Sequence, residues 1–146
     1  MARIGNRNHR PELVASAAKL LSNLQVTDVT DAELLLQTAY AFDQLGDEAG
    51  AETRYRQVLT LDASRTIAAA NLGAILVKRG QYAQAASWLE SALARNPGAM
   101  EIRLNLAVAW LQQGRLRDAR AALVEALRFN PNRQEVVRLL KALPEQ

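Results

Sequence analysis

Apolar residues recur along most of this chain at spacings of three and four positions, which places them on one face of a helix. Leu72 and Leu76 form one such pair, and Leu106 and Trp110 form another. A half-buried strand would instead alternate apolar and polar residues at every second position. The pattern therefore predicts an all-α fold.

The helical pattern also repeats along the chain with a period of 34 residues. Gly46, Gly80 and Gly114 stand 34 positions apart. Because glycine adopts the left-handed conformation without steric cost, each is predicted to end a helix. The same offset aligns further columns, which are Thr38, Leu72 and Leu106; the small Ala39, Gly73 and Ala107; the bulky Phe42, Leu76 and Trp110; Ala51, Ala85 and Ala119; Tyr55, Leu89 and Leu123; and Leu59, Leu93 and Leu127. These matches predict three copies of a two-helix unit, with small residues where the paired helices meet.

The repeated units are predicted at residues 32–65, 66–99 and 100–131. A capping-box pattern at residues 30–33 is predicted to open the first helix, with Thr30 as the N-cap, and Asn132 with Glu135 forms a weaker version before the last helix.

Partial units are predicted at the two ends. Residues 1–30 contain a basic tail and a partial-repeat helix over 11–24, in which Ala17, Leu21 and Leu24 align with second-helix columns. Residues 132–146 contain a polar-faced capping helix over 134–143, with Val137 and Leu140 turned inward, and a short tail.

The second unit, ANLGAILVKRGQYAQAASWLESALARNP, resembles the tetratricopeptide repeat, a 34-residue helix-turn-helix with small residues at the hairpin contact and a terminal proline. The departures are mild, since Ala69 and Arg103 stand where tryptophan is common, Thr38 replaces the usual leucine and Ala63 replaces the proline. The resemblance implies a right-handed α-solenoid of three repeats, with an N-terminal partial-repeat helix and a C-terminal capping helix.

The resemblance also implies a binding surface, because in this family the first helix of every repeat lines a concave groove that binds polypeptides. The predicted groove residues are Leu36, Gln37, Tyr40, Ile67, Asn71, Ala74, Val77, Leu104, Asn105, Val108 and Leu111. Most are apolar, and a contiguous apolar patch in solvent usually marks a binding site. The alternative is that neighbouring helices cover these residues.

Three amides, Gln37, Asn71 and Asn105, recur in the groove at the repeat offset. A carboxamide both donates and accepts hydrogen bonds, so it can pair with the peptide backbone of a ligand. The arrangement is similar to the asparagine ladder of O-linked N-acetylglucosamine transferases, although each amide could equally be a solvated polar residue.

Some tetratricopeptide domains bind the acidic C-terminus of heat-shock chaperones with a clamp of lysine, arginine and asparagine. Asn71 matches the clamp asparagine, but Leu36 and Tyr40 replace its first lysine and asparagine, and Glu101 and Asn105 replace its later lysine and arginine. A ligand carboxylate would meet Glu101 and no cation. We therefore expect no binding of chaperone tails.

Composition gives no candidate for catalysis, a metal or a cofactor. The chain has no cysteine, which excludes disulfides, thiolate metal sites and cysteine nucleophiles. Its one histidine, His9, lies in the polar tail without a second ligand at metal-binding spacing. No glycine-rich phosphate loop or nucleophile elbow is present. We expect no enzymatic activity.

The uncharged stretches fall short of the roughly 20 apolar residues needed to span a bilayer, so no membrane span is expected. Residues 1–10 are polar and do not form a secretory signal, which favours a cytoplasmic location, or a periplasmic one if a signal has been removed. Every charge in residues 28–52 is acidic, whereas residues 115–141 carry seven basic and three acidic residues. This asymmetry can steer an ionic partner or support weak homo-oligomers by head-to-tail stacking, although a charge run on a helix is usually just a solvated face.

The sequence thus predicts a protein–protein interaction scaffold that binds an apolar peptide or helix in its groove. Trp88 is a second anchor candidate on the outer face, unless a neighbouring repeat partly buries it. The alternatives are a self-assembling structural module, or a fragment of a larger secretion, envelope or multidomain protein. An RNA-binding helical repeat fits less well, because Glu33, Asp43 and Glu101 would repel phosphates, and we expect no nucleic-acid partner.

Overall fold

The computed structural model of the chain describes residues 31–145, together with Ser16 and Lys19. Residues 31–145 form helices joined by turns, without any strand. The helices are α1 (Ala32–Gln44), α2 (Glu48–Leu61), α3 (Thr66–Lys78), α4 (Tyr82–Arg95), α5 (Met100–Gln112), α6 (Leu116–Phe129) and α7 (Gln134–Ala142). The predicted all-α helical-repeat fold is confirmed.

The chain divides into two compact units, Met1–Leu61 and Asp62–Gln146. The described part of the first unit is mainly the α1–α2 hairpin. The second unit contains the α3–α4 and α5–α6 hairpins, followed by α7. The helix predicted over 11–24 lies outside the described residues, apart from Ser16 and Lys19, which are helical.

Each hairpin turns at one of the predicted glycines. Among residues 31–145, the glycines with a positive φ are Gly46 (78°), Gly80 (75°) and Gly114 (73°). At the end of α3, the Gly80 N–H donates to the Val77 carbonyl at 3.0 Å, and the Gln81 N–H donates to the Leu76 carbonyl at 2.8 Å. These two bonds form a Schellman motif, which satisfies carbonyls that the end of a helix leaves without partners. Equivalent bonds close α1 and α5.

Small residues allow the paired helices of each hairpin to approach closely. A Cβ atom placed on Gly73 of α3 would lie 2.6 Å from Cγ of Leu89 on α4, far inside the contact distance of about 3.5–4.0 Å between carbon atoms. Leu89 is fully buried and has little freedom to move away. The other small residues of these columns are also fully buried, namely Ala39, Ala51, Ala85, Ala107 and Ala119.

The N-cap of the first helix lies one residue later than the capping-box pattern predicts. Asp31, and not Thr30, is the N-cap of α1. Its Oδ1 accepts hydrogen bonds from the N–H groups of Glu33 at 2.9 Å and Leu34 at 3.2 Å. Aspartate is as effective an N-cap as threonine, and its side chain can accept hydrogen bonds from the same N2 and N3 amides. Where two such residues are adjacent, the pattern does not determine which of them is the N-cap.

The capping interaction predicted for the last helix is wrong. Arg133, and not Asn132, is the N-cap of α7, and its side chain makes no capping hydrogen bond. The N–H of Asn132 instead donates to Oδ1 of Asn130 at 3.3 Å. The Asn130 side chain therefore stabilises the turn before α7. Asparagine commonly forms such a hydrogen bond with the backbone two residues later.

The inward face of α7 differs in part from the prediction. Leu140 packs against the core cluster as predicted, although it is only half-buried, whereas the fully buried residue of the helix is Val136 and not the half-buried Val137. Val136 follows the fully buried Ala68 and the almost fully buried Ile102 at the repeat offset, so α7 packs on the preceding hairpin as a further first helix would. At its other end, the Pro144 carbonyl accepts a hydrogen bond from the Arg120 guanidinium at 2.8 Å.

A polar cluster around Trp110 joins the two hairpins of the second unit. The half-buried indole donates its N–H to Oε1 of Glu90 on α4 at 3.0 Å, and Arg115 donates to the same oxygen at 3.2 Å. The Arg115 guanidinium lies 4.9 Å from the indole ring centroid, a cation–π distance. The hydrogen bond from Arg115 to Asp118 at 2.8 Å raises the pKa of Arg115.

We predict that Gly73→Ala destabilises the protein by overpacking the contact with Leu89. Overpacking costs about 1–3 kcal/mol, and the better helix propensity of alanine offsets ~1 kcal/mol of this. In a Leu89→Ala background the same change should be neutral or stabilising, because the clash is gone. Chemical denaturation of the four proteins of this cycle measures the coupling, and a zero coupling energy would contradict the close approach.

Candidate peptide-binding surface

The first helices of the two hairpins in the second unit, α3 and α5, lie side by side and present equivalent residues. On α3, Ile67 is 56% exposed, Ala74 is exposed and Val77 is half-buried. On α5, Val108 and Leu111 are half-buried. These five residues, with the amides of the same helices, are called the α3–α5 face below. More than half of an isoleucine side chain in solvent makes this face apolar and accessible.

Two amides lie among these apolar residues. Asn71 on α3 and Asn105 on α5 occupy equivalent positions, and both are half-buried. They follow Ile67 by four residues and precede Val108 by three, so each lies on the same side of its helix as its apolar neighbour. The face therefore combines apolar area with two groups that can donate and accept hydrogen bonds.

Two predicted groove residues are buried instead of exposed. Leu36 and Leu104 each keep 6% of their surface in solvent. Leu104 belongs to a core cluster with Ala107, Leu123 and Val136. The helical period predicts the side of the helix on which such a residue lies, but it does not tell how far the neighbouring helices cover it. Leu104 can offer a ligand little surface.

The predicted groove residues of the first unit lie on α1. Gln37 is exposed, and its amide donates to Oε1 of Glu33 one turn earlier at 3.0 Å. Tyr40 is half-buried and packs edge-on against Tyr55, with 6.3 Å between the ring centroids and 83° between the ring planes. Both side chains therefore already contact their own hairpin.

Glu101 has an ion-pair partner that the sequence analysis missed. Arg133, at the start of α7, lies 3.0 Å from Oε1 of Glu101 on α5 and 3.7 Å from the carboxylate of Glu135. The two groups are separated by 32 residues, and no column of the repeat connects them. The only signal was Arg65, which precedes Arg133 by two repeat lengths and pairs with Asp62 at 3.0 Å.

Other chemistry is not apparent in the described part of the chain. Among residues 31–145, no cluster of three or more acidic or histidine side chains is arranged to hold a metal ion. None of the helices there combines the length and the hydropathy that crossing a membrane requires. Trp88, the outer-face candidate, is half-buried.

Comparison with sequence families gave two matches, both described as the tetratricopeptide repeat. One covers residues 36–98 and the other residues 76–143. Together they span both hairpins of the second unit and most of the first unit that the structure describes. No curated protein matches the chain.

Solved structures with the same fold include MamA 41-end from Desulfovibrio magneticus RS-1, which is 28% identical and has a TM-score of 0.78, with 92% of this chain and 74% of that chain covered. The first TPR of Spaghetti (RPAP3) bound to the HSP90 peptide SRMEEVD is 19% identical, with a TM-score of 0.74 and coverage of 80% and 92%. YrrB, described as a TPR protein with an unusual peptide-binding site, is 17% identical, with a TM-score of 0.77 and coverage of 89% and 67%.

We predict that peptides with acidic C-termini bind no better than their scrambled sequences. The guanidinium of Arg133 already faces the carboxylates of Glu101 and Glu135, so a ligand carboxylate that approached it would have to compete with both. Isothermal titration calorimetry with a matched scrambled peptide measures this. Micromolar binding that depends on the terminal carboxylate would contradict it.

Proposed function

The chain belongs to the tetratricopeptide repeat family of protein–protein interaction modules, and we propose that its α3–α5 face binds an apolar segment of a partner polypeptide. The observation on which this depends is the exposure of Ile67 and Ala74 beside Val108 and Leu111 on the adjacent helix. Members of this family are typically non-catalytic scaffolds.

Burial of apolar surface would supply most of the affinity. Each Å² of apolar surface removed from water contributes about 25 cal/mol, from which the costs of ordering the ligand are subtracted. Ile67 can contribute substantially, because 56% of this large apolar residue is exposed. The buried Leu104 would contribute only through the core that supports the face.

The two amides would fix the position of the ligand along the face. Asn71 and Asn105 occur once in each repeat of the second unit, so they can contact two points of an extended backbone or the polar edge of an amphipathic helix. A hydrogen bond of this kind contributes about 0.5–1.5 kcal/mol. Gln37, with Leu36 and Tyr40 on α1, stays a prediction for the equivalent face of the first unit.

Two of the structural neighbours support a peptide as the ligand class. One is a repeat domain bound to the peptide SRMEEVD, and the other has a peptide-binding site described as unusual. Leu36 and Tyr40 stand where the clamp that binds acidic C-termini has a lysine and an asparagine. This difference favours an apolar segment over a charged C-terminus.

We predict that peptides selected from a random phage-displayed library on the full chain are rich in apolar residues and lose binding to Ala74→Arg or Val108→Arg. An arginine on this face would bring an unpaired charge into contact with an apolar ligand. Asn71→Ala with Asn105→Ala should instead weaken binding by roughly 1–3 kcal/mol, because two hydrogen bonds are lost. Calorimetry with a selected peptide measures both effects.

The matched control is Val124→Arg, which introduces the same charge at an exposed position of α6 outside the face. It should leave the affinity unchanged. Circular dichroism should show full helix content in every variant. If the selected peptides bind the Ala74→Arg protein as tightly as the parent, the α3–α5 face is not the site.

A further inference from the structure

One side of α7 is only partly covered by the other described residues. In α3, the side that meets the second helix of the repeat is fully buried at Leu72 and Leu76. Helix α7 occupies the place of a further first helix, and Leu140, the equivalent of Leu72, packs against the core cluster around Leu123 and Val136 with one part of its surface but is only half-buried. Its neighbour on this side, Val137, is also half-buried. Among the described residues, no second helix packs on this side of α7.

Two cations border this apolar strip. Arg138 and Lys141 are exposed, and they stand three positions apart, so their side chains share one side of the helix. Neither has an ion-pair or hydrogen-bonding partner for its side chain within residues 31–145. We call Val137, Arg138, Leu140 and Lys141 the α7 end face. The centre of this face is apolar, and its border is positively charged.

Lys141 determines which kind of helix this face can accept. It occupies the column of Gly73 and Ala107, where the second helix approaches most closely. In the α3–α4 hairpin, the residue opposite this column is the fully buried Leu89. A leucine opposite Lys141 would remove the ammonium group from water without giving it a partner, which is costly. An ordinary second helix of this repeat, including one from a second copy of the chain, is therefore disfavoured.

We propose that the α7 end face is a second docking site, which binds an amphipathic helix of a partner protein carrying Asp or Glu opposite Lys141. The apolar side of such a helix covers Val137 and Leu140, as a second helix covers its first helix elsewhere in the chain. The carboxylate pairs with the ammonium group, and Arg138 attracts further acidic residues.

The probe is a peptide with the α4 sequence Tyr82–Arg95, since α4 packs on a first helix in this manner. Two helix-constrained versions are compared, one unchanged and one with Leu89→Glu, because free helices shorter than about 12–15 residues are marginal in water. Fluorescence anisotropy against the full chain should show at least ~10-fold tighter binding of the Glu peptide, the change expected for a pairing difference of about 1.4 kcal/mol. Raising the salt concentration should weaken this binding.

Charge reversal tests the pairing directly. Lys141→Glu should abolish binding of the Glu peptide, and a Leu89→Lys peptide should restore binding to this variant. Arg128→Glu on α6 is the matched control, because it reverses an exposed charge that pairs with Glu125 away from the face, and it should have no effect. Ala74→Arg should also have no effect, which separates this site from the α3–α5 face.

Three outcomes would overturn the proposal. The first is no binding of the Glu peptide, and the second is equal binding to the parent and to Lys141→Glu. The third is tighter binding of the unchanged peptide, or a dimer of the parent protein in sedimentation equilibrium that Lys141→Glu dissociates. Either form of the third result would mean that the face accepts an ordinary second helix or a second copy of this chain.

Discussion

The close approach of α3 and α4 at Gly73 and Leu89 is the contact on which the rest of the second unit depends. There is no space for a β-carbon at position 73, so the two helices can interlock in one register only. The same contact recurs at Ala107 in the next hairpin, where the alanine is fully buried. Because interiors are packed as densely as crystals, a shift of even one methylene group would be costly.

Once this contact fixes the rotation of each first helix about its axis, the other faces follow. The side opposite the second helix is left to solvent, and in α3 and α5 it is apolar, with Asn71 and Asn105 at equivalent positions. In α7 the same register exposes the side that would meet a second helix, and Lys141 occupies the close-contact column. One packing rule therefore accounts both for the apolar α3–α5 face and for the exposed position of Lys141 on α7.

The hairpins, their glycine turns and the small-residue columns could be predicted from the sequence, because each depends on local chemistry repeated every 34 residues. The ion pair between Arg133 and Glu101 could not, since it joins residues outside the columns. The burial of Leu104 and the rotation of α7 toward Val136 were missed for a different reason. Helical periodicity gives the sector in which a side chain lies, whereas its exposure depends on the helices that pack next to it.

The α3–α5 face as a binding surface is tested most directly by nuclear magnetic resonance. The amide chemical shifts of the isotope-labelled full chain would be followed while a peptide selected on it is added. The account predicts that the largest changes fall on the residues of α3 and α5 around Ile67, Ala74 and Val108, and that those on α4 and α6 are small. Changes concentrated on the outer helices, around Trp88 or Val124, would contradict it.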